Sequence, residues 1–204
     1  MRSINLVICG VALLTNAVQV RDAHGVTEPF TVSVEREPIK TIEPILRAYV
    51  TVGTDKFTFL VPEKFRLTSE VAQEKIQLAS LEKDTLITLS FLGPGPAEAT
   101  ELKPGPYREL LSSRYPNGKF VNEFTRPAGG RMGTVFDLDW KSAGGLAQST
   151  RAMYVPTVAG MLEITATSSA KNFPAAQSTL NGVLSSLNFS VNGKLVVQHL
   201  SGPL

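Results

Sequence analysis

Apolar and polar residues alternate most clearly where Met132, Thr134, Phe136, Leu138 and Trp140 interleave with Gly133, Val135, Asp137, Asp139 and Lys141. A period of two is that of a half-buried strand, with the first set facing the core. Ser142 to Gly145 turns the chain, Leu146 to Val155 returns it, and Pro156 to Gly160 turns it again into Met161 to Thr167, so three consecutive strands form a meander. The period then changes. Phe173, Ala176, Leu180, Val183, Leu184 and Leu187 recur at steps of three and four, which predicts an amphipathic helix with Pro174 in its first turn and Asn172 or Ser169 as its cap. That helix is the obvious cover for the meander's apolar face.

Upstream, Arg47 to Val52 and Phe57 to Val61 flank the Gly53-Thr54-Asp55 turn as one hairpin, and Lys75 to Leu81 and Thr85 to Leu92 flank Glu82-Lys83-Asp84 as a second. Pro94, Pro96, Pro104 and Pro106, with their glycines, mark a loop. A short helix follows over residues 106 to 115, carried by Tyr107, Leu110, Leu111 and Arg114 and ended at Tyr115-Pro116. Asn117-Gly118 turns into a strand from Lys119 to Thr125. Phe30 to Glu35 alternates, but Pro38 and Pro44 interrupt it, so residues 26 to 46 read as a lead-in with one edge strand. At the other end, Phe189 to Val191 and Leu195 to Leu200 flank Asn192-Gly193 as short closing strands. Strands gathered into meanders, with helices at two places, predict an α+β fold with an antiparallel sheet.

Composition adds compartment and removes function classes. The chain has 204 residues, 43% hydrophobic and 19% charged, which suits one domain with a core. Its net charge of +2 is spread among acids, so no basic patch points to nucleic acid. Met1 and Arg2 followed by the apolar run Ile4 to Leu14 read as an export signal, since about 20 apolar residues are needed to span a bilayer. Thr15 and Ala17 supply small residues for cleavage after position 17, whereas cleavage after Ala23 would place Arg21 at minus three. A retained N-terminal strand or an uncleaved anchor is the alternative. The expected organisation is a signal peptide over 1–17, extending to 23 on the second choice, a lead-in over 18–46 and a single domain over 47–204. Such a leader predicts a periplasmic or extracellular protein. The one cysteine, Cys9, lies inside the leader after bulky Ile8 and too early for a lipidated N-terminus, so the mature chain has no thiol.

The order of elements resembles the PsbP/Mog1-like group. The likeness is carried by Phe57-Thr-Phe-Leu-Val-Pro-Glu-Lys-Phe65, the middle helix before a turn-rich strand, Met153-Tyr-Val-Pro-Thr-Val-Ala-Gly-Met-Leu-Glu-Ile-Thr165 and the helix end Leu184-Ser-Ser-Leu-Asn-Phe189. It runs from about residue 47 to residue 190. The resemblance implies an α/β/α sandwich around an antiparallel sheet, and a group of mostly adaptor, assembly or binding proteins. Plant-type members sit in the thylakoid lumen, but this leader lacks the Ser- and Arg-rich character of a transit peptide. No motif of the group transfers a functional residue to this chain.

Candidate chemistry is sparse. His24 and His199 stand in no recognisable setting, and no G-x-S-x-G elbow is present. Asp137 and Asp139 share one face of a strand and could hold a divalent cation, yet their apolar neighbours make them more readily the solvated face. Gly129-Gly130-Arg131-Met132-Gly133 lacks a Gly-Lys-Ser/Thr ending and precedes a strand, which favours a turn over a phosphate loop. Asn188-Phe189-Ser190 matches a glycosylation sequon, for which chance is the default. No cofactor is expected. With no catalytic motif found, and with what the resemblance implies, the expected function is a non-catalytic exported binding or assembly factor of the cell envelope with a protein partner, then a small-molecule or lipid carrier using the space between sheet and helix, and an enzyme last. Trp140, the sole tryptophan, alternates with core residues, but it stands at a strand end beside Gly144 and Gly145, where a scaffold presents binding groups. These three residues are the candidate partner-binding set.

Overall fold

The computed structural model describes residues 29–39, 42–82, 84–93, 104–158 and 160–190. The signal segment with Cys9, both histidines and the strand expected over Leu195 to Leu200 lie outside them.

The described residues form eleven strands. β1 (Thr31–Ile39), β2 (Ile42–Val52) and β3 (Asp55–Val61) form a meander, and β11 (Asn188–Phe189) pairs with β3 to complete a four-stranded sheet. β4 (Phe65–Glu70), β5 (Lys75–Ser80), β6 (Leu86–Leu92), β7 (Lys119–Ala128), β8 (Arg131–Lys141), β9 (Ala147–Pro156) and β10 (Met161–Ser169) form a seven-stranded sheet in the order β4-β5-β6-β10-β9-β8-β7. Every strand pairing is antiparallel. The helices are α1 (Pro104–Arg114) and α2 (Phe173–Ser186).

The chain is thus α+β with antiparallel sheets, as the sequence predicts, but the single sheet expected is two. The lead-in also differs. Residues 31–52 build two long paired strands, so the sheet structure begins upstream of residue 47. Pro38 is accommodated because it falls at the register shift between Glu37 and Ile39, in an edge strand where a missing N–H costs no central ladder bond. β4 is a further strand that the alternation did not reveal.

In its β8–β9 part the seven-stranded sheet is covered on both faces, which corrects the expectation of a solvated face along β8. On one face Val135, Met153, Val155, Leu162 and Ile164 join residues of β3 and the α2 side chains Leu180, Val183 and Leu184 in the main core. Phe57 is fully buried at its centre, with ring centroids 5.7 Å from Phe91 and 5.5 Å from Phe189. On the other face Phe136, Leu138, Ala152 and Tyr154 pack under Leu111, Tyr107 and Tyr115 from α1 and the residue after it. The space between sheet and α2, where a carrier would hold its ligand, is filled by these side chains.

Asp137 therefore lies buried instead of facing water, and charge pairing makes that tolerable. Arg151, its cross-strand neighbour, donates Nε to Oδ1 and Nη2 to Oδ2, both at 2.7 Å, and Asn122 Nδ2 adds a bond at 3.1 Å. Both carboxylate oxygens are thereby committed. Asp139 does face solvent and accepts from Ser149 Oγ at 2.6 Å. Among the described residues no group of three or more His, Cys, Asp or Glu could hold a metal ion. Met132, expected on the core face, is about half exposed because it lies beyond α1's cover at the far end of β8. Gly129 and Gly130, at φ +57° and +78°, make the two-residue turn between β7 and β8, whose strands close at Ala128 and Arg131. The α2 N-cap position falls on Asn172, one of the two expected residues, but its side chain is used elsewhere. Asn172 Nδ2 donates to Asp84 Oδ1 at 2.8 Å, while Asp84 Oδ2 accepts from the Ser169 backbone.

Candidate functional site

One end of the seven-stranded sheet combines a tight strand turn with the end of α1. The β8–β9 turn is closed by Gly145 N donating to Ser142 O at 2.8 Å and Ser142 N to Leu146 O at 3.0 Å. Ser142 Oγ accepts a further bond from Leu146 N. Gly145 has φ +77°, a conformation that favours glycine. Opposite it, α1 ends as Tyr115 N bonds Leu111 O, and Pro116 cannot continue the helix. Gly118 completes the reversal with an N–H bond to Tyr115 O at 2.8 Å, and a Cβ there would meet that same oxygen at 2.9 Å.

Trp140 sits between these two turns. It shares the face of Phe136 and Leu138 but is only partly buried, being two residues further towards the end of the strand. Its ring lies 5.0 Å from that of Tyr115, tilted at 45°, and its Nε1 donates to Thr150 Oγ1 at 2.9 Å. Thr150 in turn bonds Thr167 across the sheet. The indole is thus fixed while part of its surface remains open, an arrangement suited to an interface anchor.

Two open clefts flank it. One, of about 400 Å³, runs along the end of α1 and includes Arg114, Tyr115, Asn117, Trp140, Lys141 and Ser142. The other, of about 410 Å³, lies towards Asp139 and Gln148 and shares Asn117, Trp140 and Lys141 with the first. Trp140 therefore lines both. Gly144 and Gly145 lie in the adjoining exposed turn and line neither, although Leu146 beside them exposes 67% of its surface.

Beneath the first cleft is a charged group in the core. Glu163 is 3% exposed, and both its oxygens accept from Arg114 Nη1, at 2.9 and 3.0 Å. Tyr154 Oη donates to the same carboxylate at 2.7 Å and stacks on Tyr107 at 4.3 Å. Burial, and then the Glu163 charge, push the Tyr154 hydroxyl far above the usual tyrosine range, so it stays protonated and donates. Burial lowers Arg114, but Glu163 more than offsets this and raises it. These groups hold the end of α1 against the sheet. Their only local signal in the sequence is a glutamate between Leu162 and Ile164 in a β-rich run.

No family profile and no curated protein matches this chain. Its fold is similar to that of solved proteins. One is LpqN of Mycobacterium tuberculosis, involved in cell envelope biogenesis, at 9% identity and TM-score 0.51, over 80% of this chain and 93% of that one. Another is the cyanobacterial PsbP protein CyanoP of Synechocystis, at 11% identity and TM-score 0.52, over 85% of this chain and 99% of that one. These likenesses show a PsbP/Mog1-like fold, the class implied by the sequence resemblance. At such identities they speak for the fold alone.

Proposed function

We propose that this chain is a non-catalytic, exported binding or assembly factor of the cell envelope, which engages a protein partner through the Trp140 end of its seven-stranded sheet. The observation that carries the reading is Trp140 itself, locked by Thr150 and Tyr115 yet bordering two open clefts. A fixed aromatic with open surface presents contact area at little entropic cost, and Leu146 and the Gly144-Gly145 turn extend the surface beside it. The fold it shares with LpqN, a protein of envelope biogenesis, supports the envelope setting. The apolar leader supports export. No helix among the described residues is long and apolar enough to cross a membrane.

The test is site-specific photo-cross-linking in the native host. A photoreactive residue at Ala143, in the cleft, should capture one defined partner, whereas the same group at Val158, in the β9–β10 turn, should not. Equal capture from both positions, or none from Ala143, would overturn the reading.

A further inference from the structure

The two clefts beside Trp140 differ in charge. Asp139 lines the second and stands there with Lys141. The first is lined by two cations, Arg114 and Lys141, and by no carboxylate among the described residues. Glu163 lies beneath the cleft with its side chain 4% exposed, where it offsets the charge of Arg114, and Asp139 lines the adjoining cleft. The net positive charge facing the cleft is therefore that of Lys141, which is exposed.

Arg114 contributes direction instead of net charge. Both of its bonds to Glu163 leave from Nη1, so the planar group is held in one orientation, and among the described residues Nη2 and Nε keep donors for another acceptor. Its side chain is 37% exposed, enough to be reached from the cleft. A guanidinium already immobilised by a buried partner loses little freedom on binding a second carboxylate. The Tyr115 and Trp140 rings, 5.0 Å apart and both partly open, line the same cleft as the two cations. One net cation and one oriented guanidinium beside two aromatic rings match a carboxylate next to an apolar side chain.

We infer that the cleft between the end of α1 and the β8–β9 turn recognises an acidic segment of the partner protein. An apolar side chain rests on Trp140 and Tyr115, and a neighbouring carboxylate lies between Arg114 and Lys141. This rests on the reading that the Trp140 end engages a partner, and it adds the chemistry of what is engaged.

The sole tryptophan makes the test direct, because all indole emission comes from the proposed site. The purified protein is titrated with a synthetic peptide of alternating leucine and glutamate, with its leucine–glutamine twin and with a neutral N-acetylglucosamine tetramer. The acidic peptide should shift the emission saturably, with its glutamine twin at least about tenfold weaker, and 1 M salt should weaken the response. Lys141→Glu, a surface change that leaves the Arg114–Glu163 pair in place, should weaken the acidic peptide by about tenfold or more, with an unchanged urea midpoint confirming the fold. Equal responses to the two peptides, a response to the sugar alone, or no response would overturn acid recognition. If Ala143 still captures a partner in the host, acid recognition alone has failed. If Ala143 captures nothing, the partner reading itself has failed.

Discussion

The Arg114–Glu163 pair gives the sharpest energetic prediction. Arg114→Met keeps most of the side-chain stem but removes both bonds to the buried carboxylate, which then retains Tyr154 as its donor. Breaking a buried pair in this way costs about 3 to 5 kcal/mol when both partners are fully enclosed. The Arg114 side chain is 37% exposed, so water screens part of the loss, and about 1.5 to 3 kcal/mol is expected. Glu163→Gln keeps an acceptor for Tyr154 and turns a donor towards Arg114, at a cost of about 1 to 2 kcal/mol. In the double variant neither a buried charge nor a facing pair of donors remains. It should lose less than the sum of the singles, by about 1 to 2 kcal/mol. Urea unfolding followed by circular dichroism measures all four proteins, and an unchanged slope confirms that only stability has moved. Single effects that add to within about 0.5 kcal/mol would refute the coupling.

Other expectations concern packing, backbone and pH. Leu184 is 2% exposed in the main core, so Leu184→Ala should cost about 2 to 5 kcal/mol, while Leu146→Ala, in an exposed turn, should stay within about 0.5 kcal/mol; equal midpoints for Leu184→Ala and wild type would contradict the packing. Gly182 lies inside α2 with open space where a Cβ would go, so Gly182→Ala should stabilise the protein by about 0.5 to 1 kcal/mol in the same assay. Gly129→Ala should do the reverse, because its φ is +57° and the new Cβ would meet Phe189 at 2.6 Å. Bonds from Asn172 and Ser169 hold the Asp84 carboxyl below its ordinary value of 3.8. A lowered folded value stabilises above the unfolded value, and the benefit fades as pH falls through the folded one. Asp84→Asn should therefore have a lower urea midpoint than wild type at pH 7, with the gap closing below about pH 3.8.

The long regular elements were legible because one periodicity ran through each. Met132 to Trp140 announced β8, and Phe173 to Leu187 announced α2, whose Leu180, Val183 and Leu184 do face the core. What period two cannot say is whether the alternate set meets water or a second layer. Asp137 reads as a solvent-facing acid, and its burial is explained by Arg151 and Asn122, its neighbours on the two adjacent strands. β4 was missed because Phe65–Glu70 is short and polar, with Phe65 and Leu67 only partly buried against the core. The two-sheet arrangement was also hidden. Hairpin signals fix local pairs, whereas placing β11 on β3 and β10 on β6 depends on packing between segments far apart in the chain. The same applies to the site. Trp140 stands out by its position at a strand end, but the first cleft beside it needs Arg114 and Tyr115 from the end of α1, and the second needs Gln148 and Ala170. Arg114 and Tyr115 carried no local sign of that role.

A partner that covers the Trp140 end where the protein works would shield Lys141. Lysine footprinting compares this most directly in two settings, intact cells of the native host and the purified protein. Lys141 lines both clefts, and Lys64, with 56% of its side chain exposed on another part of the molecule, serves as the reference. Labelling of Lys141 relative to Lys64 should fall several-fold in cells; the same ratio in cells and in the purified protein would contradict the partner reading.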